Sequence, residues 1–248
     1  MSPRRPDPAS PRPLDRALSL PLLETVYRIA SLDVSAAERS EQLTIALREH
    51  TTDADAKTRV KHAVMRIWIS PPEPAARAIR WAIDHPEHFP DRRLMHTGAL
   101  LATVPFVGSA LQELGRSFAL AESLTVPDLR RRLVARWGEI STVLEATGKT
   151  VTSLRRLGVV NGGGRQPVNR EPALAASQLG AAWLVHTLML HRCIASIDMR
   201  DASTAPELFW AGPRDPDPSY PHLELHSEGL NRRIWVSAQT GAASGFPR

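Results

Sequence analysis

Residues 125–168, TVPDLRRRLVARWGEISTVLEATGKTVTSLRRLGVVNGGGRQPV, decide how the rest of the chain is read. Pro127 and Asp128 open a helix, as a first-turn proline and an early acid do, and Gly138 closes it. Ser141 supplies an N-cap for a second helix, and Gly158 supplies its C-terminal stop. Val159 and Val160 then begin a strand, with Asn161 to Arg165 as a loop or wing tip. A helix, a short turn, a second helix and a glycine-rich basic loop are the parts of a winged helix-turn-helix.

A helical wheel divides the second helix into two faces. Leu144, Thr147, Val151 and Leu154 fall on one stripe, which is expected to face a core. Glu145, Lys149, Thr152, Ser153 and Arg156 fall opposite, and Lys, Arg, Thr and Ser suit contacts with phosphates and base edges. Gly148 interrupts this pattern, because an internal glycine costs about 1 kcal/mol relative to alanine. Either the helix runs through it, or Gly148 marks the turn of a tighter helix-turn-helix with Ser141 to Thr147 as first helix. In both registers Lys149 to Arg156 is an exposed basic segment.

Charge concentrates in the same place. Between Pro127 and Arg165 stand Arg130, Arg131, Arg132, Arg136, Lys149, Arg155, Arg156 and Arg165, against Asp128, Glu139 and Glu145. Eight minus three equals the +5 of the whole chain, whose pI is near 10.1. Such a balance favours an anionic partner, nucleic acid before acidic lipid. Only Lys57, Lys61 and Lys149 are lysines, and a coding bias towards arginine would give the same total. Placement therefore carries the argument, not content. The expected DNA-binding side chains are Arg130, Arg131, Arg132, Lys149, Thr152, Ser153, Arg155, Arg156 and Arg165.

Outward from this segment the chain reads as mainly α. Aromatic residues are 5% of the composition, while Ala, Leu, Val and Arg dominate, which favours helices over strands. Residues 18–104 are expected to form an N-terminal helical bundle, 105–170 the helix-turn-helix-like segment, and 171–248 a C-terminal helix and hairpin. Ser35 and Glu38 have capping-box spacing ahead of a helix. Val60, Val64, Ile67 and Trp68 repeat at helical spacing up to the breakers Pro71 and Pro72. A helix near Glu73 with Pro74 in its first turn follows, and Pro105 separates two more. Residues 1–17, with Arg4, Arg5 and Arg12 among prolines, read as a disordered tail.

Pro172 to His191 carries no formal charge, yet Ser177, Gln178, Gly180, His186 and His191 make it a buried helix, not a membrane span. Pro206 to Tyr220 is expected as a loop. Leu223 and Leu225 alternate with His222, Glu224 and His226 before a return strand from Arg233 to Val236, a small C-terminal hairpin. The single Cys193 excludes an intramolecular disulfide and fits a reducing, cytoplasmic setting.

Chemical motifs fail one by one. Thr147-Gly148-Lys149-Thr150 imitates the end of a phosphate-binding loop, but Val143 stands where the motif needs glycine. His222, Glu224 and His226 share a strand face without a fourth ligand. His85 and His88 flank a proline turn and read as helix-end caps, while His186, His191 and Cys193 read as core. No catalytic set, metal or cofactor is expected, and no enzymatic activity.

WISPPEPAARAIRWAI, PFVGSALQELGRSF and the segment from VPDLRRRLVARWGEI to LRRLGVV resemble the BrxA family of bacteriophage-exclusion (BREX) defence systems. The likeness spans roughly Leu20 to Val160, with Trp137-Gly138, Ser141-Thr142-Val143, Leu154, Leu157 and Gly158 as its most specific residues. It implies an all-helical protein that binds double-stranded DNA beside other defence subunits, related in fold to antitermination factors. Gly148 and Thr150 depart from the basic helix formers expected there. Two other functions remain open at this point. One is an antiterminator-like RNA-binding protein; the other is a scaffold whose apolar surface is the Pro172 to His191 helix.

Overall fold

Short-range capping signals set several of the helix starts in the computed structural model, which describes residues 13–50, 54–121, 123–139, 141–212, 215–228 and 232–238. The N-terminal half holds α1 (Leu20–Ala30), α2 (Ala36–His50), α3 (Ala54–Val64), α4 (Ala75–Asp84), α5 (Arg92–Thr103) and α6 (Pro105–Leu120). Ser35 and Glu38 exchange the expected bonds ahead of α2, with Ser35 N donating to Glu38 Oε2 at 2.8 Å and Glu38 N donating to Ser35 Oγ at 3.2 Å. Asp91 caps α5 by accepting from Arg93 N, and Pro105 opens α6 after the break at Val104. The end of α3 widens into a π turn, Met65–Ile69, which buries Ile67 and Trp68. Helix α4 begins at Ala75, two residues later than the sequence suggests, with Pro74 as its N-cap.

The chain continues through β1 (Ser123–Leu124), α7 (Val126–Trp137), α8 (Ser141–Arg156), β2 (Val160–Gly163) and β3 (Gln166–Arg170). It ends with α9 (Gln178–Arg192), β4 (Ser196–Asp198), α10 (Met199–Ser203), β5 (Leu223–Glu228) and β6 (Arg232–Ser237). Two antiparallel sheets result, ordered β1-β3-β2 and β4-β6-β5. The C-terminal hairpin is thus present, with β4 as a third strand that the sequence reading did not foresee.

At the centre lies α9, buried from Gly180 to Met189. Gly98 on α5 makes this possible: a Cβ there would sit 2.3 Å from Trp183 Cζ3. Trp183 is fully buried, meets Phe89 edge-on at 4.9 Å and donates Nε1–H to Ala78 O at 2.7 Å. One apolar cluster runs from Leu14 through α9 to Trp235 and crosses the expected boundaries at residues 104 and 170.

Three expectations need correction, the first being that Cys193, read as core, is exposed. The tail expected through residue 17 ends earlier, because Leu14 is buried in the core; residues 1–12, with Arg4, Arg5 and Arg12, lie outside the described residues, as do residues 239–248. Gly148 is not a turn, since α8 is continuous through it and the Thr147 to Thr150 tetrapeptide is mid-helix. The expected loop from Pro206 to Tyr220 is present: its described residues are irregular after a short 3-10 turn, and it buries Glu207, Trp210 and Tyr220. Glu207 tolerates burial because Arg192 Nε and Nη2 donate to its two oxygens at 2.9 and 2.6 Å, and Gln112 Nε2 adds a bond at 2.9 Å.

Among the described residues no single helix is long and apolar enough to cross a membrane. Helices α5 and α6 pass by composition only as a pair, bent by 114°.

Candidate nucleic-acid interface

Helix α7 starts at a capping box: Asp128 N donates to Thr125 Oγ1 at 3.2 Å, and Thr125 N donates to Asp128 Oδ2 at 3.3 Å. The Thr125 hydroxyl donating to Asp128 Oδ2, then Arg131 and the Thr125 amide, hold the Asp128 carboxyl below its usual range. Helix α8 packs against α7 and stops at Gly158, whose φ of +65° is left-handed. The β2–β3 hairpin then turns through Gly162, Gly163 and Gly164, all at positive φ. A Cβ on Gly162 would lie 1.9 Å from Pro167 O, so the close approach of the two strands requires glycine.

These three pieces surround a cleft of about 370 Å³. Val126, Pro127 and Arg130 form its α7 wall, and Gly162 to Gly164 form the hairpin wall. Gly148, Val151, Thr152 and Arg155 of α8 form its floor. Apart from its own helix backbone and chain neighbours, no described residue comes within 4 Å of a Cβ built on Gly148. That glycine is required neither by its helical backbone nor by a packed neighbour.

Of the nine expected side chains, Arg130, Thr152 and Arg155 line this cleft. Arg130, Arg155 and Arg165 are exposed and have no ion-pair partner among the described residues. Arg131 pairs with Asp128, Arg132 with Glu113 at 3.7 Å, and Lys149 with Glu145 at 3.1 Å. Arg156 reaches back to Ala17 O at 3.5 Å. Of these pairs Arg131–Asp128 is exposed on both sides, and such a pair is worth little.

Thr152 is half-buried at the cleft and donates to Gly148 O at 2.8 Å. Ser153 does not belong to the surface at all. It is 1% exposed, accepts from Leu18 N at 2.9 Å and donates to Lys149 O at 2.9 Å.

The error over Ser153 has a physical cause. Thr147, Val151 and Leu154 are buried as expected, but Leu144 is only half-buried, while Val143, Ala146, Thr150 and Ser153 are buried too. The buried arc is wider than one stripe and turned towards Ser153, because the segment before α1 packs on that flank. The sequence reading also missed Val126, Gly148 and the hairpin glycines as cleft-forming residues. An internal glycine on a basic helix, followed by a glycine run, was the available signal.

No family model matches the chain, and no curated protein or solved structure matches it.

Proposed function

We propose that the segment from α6 to β3 is a winged helix. On this reading the protein is a non-enzymatic, double-stranded DNA-binding accessory protein, with α8 and the β2–β3 hairpin meeting the duplex. The element order helix–strand–helix–helix–strand–strand and the sheet order β1-β3-β2 support that reading. The observation that carries it is the cleft, where unpaired Arg130 and Arg155 flank a floor left open at Gly148. A backbone phosphate seated there would meet two guanidinium groups, with Arg165 at the hairpin tip adding a third contact. The resemblance to the BrxA family gives the proposal its setting, cytoplasmic anti-phage defence beside other subunits.

The scaffold alternative relied on the apolar surface of Pro172 to His191, and α9 is buried in the core instead. The RNA alternative calls for exposed aromatic platforms, yet Trp68, Trp183, Trp210 and Trp235 are all interior.

Fluorescence anisotropy with a labelled random duplex at two salt concentrations tests the proposal. Phosphate contacts predict binding that weakens steeply with salt, with a slope reduced by about 0.9 for each contact removed. Affinity that is flat in salt, or RNA that displaces the duplex at equal concentration, refutes it.

A further inference from the structure

The corner between α4 and α5 reads His85-Pro86-Glu87-His88 and shares no residue with the cleft. His85 Nδ1 and His88 Nε2 each lie 3.4 Å from the same oxygen, Glu87 Oε1. All three ligand atoms fall within 4.8 Å of one another. We propose that this turn binds a divalent cation of borderline softness, Zn²⁺ foremost, through His85 Nδ1, a Glu87 carboxylate oxygen and His88 Nε2. Water would complete the shell.

Spacing, rigidity and access argue for this. Tetrahedral zinc with bonds of about 2.0–2.1 Å sets neighbouring ligand atoms about 3.3 Å apart, close to the two nitrogen–oxygen separations seen here. An ordinary ion pair needs one imidazole, whereas here two converge on one carboxylate oxygen. A dication there would meet both ring nitrogens and the carboxylate together.

The ligands also sit on a fixed backbone. Phe89 N closes the 3-10 turn on Pro86 O at 3.1 Å, and the Phe89 ring is buried against Trp183. Ser177 Oγ donates to His88 O at 2.8 Å. A Cβ on Gly180 would stand 2.7 Å from that same carbonyl, so the start of α9 is pressed against the turn. Trp81 supports both imidazoles, stacked with His88 at 5.6 Å and 7° and tilted against His85 at 5.0 Å. The open side faces solvent, with Glu87 60% and His85 44% exposed, so an ion can enter without moving the chain. Among the described residues no other group of three His, Cys, Asp or Glu side chains is so placed.

The test titrates Co²⁺ and then Zn²⁺ into the full chain after treatment with a chelator. The expected result is one Co²⁺ per chain, with the visible bands of four-coordinate nitrogen and oxygen ligation that Zn²⁺ abolishes. Glu87→Gln and His88→Gln each weaken Co²⁺ binding by about tenfold or more, while His62→Gln, an exposed histidine on α3, changes nothing. Zn²⁺ raises the melting temperature of the unaltered chain and not that of Glu87→Gln, whose exposed side chain keeps the fold intact. Absence of a saturable Co²⁺ spectrum overturns the proposal, and so does affinity unchanged in Glu87→Gln.

Discussion

Helices α8 and α9 have nearly the same length, 16 and 15 residues, and opposite surroundings. Helix α9 is enclosed almost all round, and the glycine that serves it, Gly98, admits a tryptophan of the same chain. Helix α8 buries a broad arc and leaves the other side open, and its own glycine, Gly148, has no neighbour to admit among the described residues. A glycine that makes room inside the fold contributes to stability. One that makes room outside costs stability, and the proposed duplex contact would account for it.

The contrast breaks most sharply at Trp183. Trp183→Ala empties the space beside Gly98 and leaves Ala78 O without its donor, so stability should fall by about 3–5 kcal/mol in urea denaturation. A loss below about 1 kcal/mol would mean that α9 is not the centre of the core.

Acid separates the two helices next. Burial, with a smaller contribution from the His222 charge, pushes His186 down to about 3. Burial likewise pushes His191 down to about 4, against the opposing charge of Glu207. Both folded values lie below the unfolded 6.5. Above 6.5 neither state takes a proton; below it the unfolded chain binds protons that the folded chain refuses. Stability is therefore complete above pH 6.5 and is lost as pH falls towards 4, by about 1.4 kcal/mol per pH unit for each histidine. Buried His96 on α5, lowered mainly by desolvation, acts with the same sign. Urea midpoints at pH 7, 6 and 5 check this, and His191→Gln should flatten the profile. The expected DNA-contacting groups are Arg, Lys and Thr, so duplex affinity should hold across the same range until the fold gives way.

On the open side, Arg130→Ala combined with Arg155→Ala should reduce the salt slope of DNA binding by about 1.8. Because both side chains are exposed and unpaired, the melting temperature should stay the same. The smallest effect sharpens the comparison most. Gly148→Ala should stabilise the protein by up to about 1 kcal/mol while weakening duplex binding. A variant that is more stable and binds DNA as before would make the glycine incidental.

How far the sequence spoke depended on the range of each interaction. The Ser35–Glu38 box, Pro105 and Gly158 act within a turn of the helix they bound, and all were legible. So, in principle, were the Arg131–Asp128 and Lys149–Glu145 pairs, at spacings of three and four. The Arg132–Glu113 pair joins α7 to α6 and had no local signature. Ser153 was misplaced because its partner, Leu18, lies 135 residues away along the chain. Glu207 looked like one acid in a polar loop until Arg192 and Gln112 met it.

The contact between the segment before α1 and Ser153 limits how the basic helix can be handled. Leu18 N ends on the Ser153 hydroxyl, and Ala17 O receives Arg156, so residues before α1 brace the back of the helix whose front is open. The amide of Leu18 should exchange with deuterium in step with those of α8, as members of one cooperative unit. Helices α7 and α8, lifted out with their hairpin and grafted onto another protein, would lack that brace. The basic helix is not a portable part, and swapping it between proteins would have to carry Ala17 and Leu18 along.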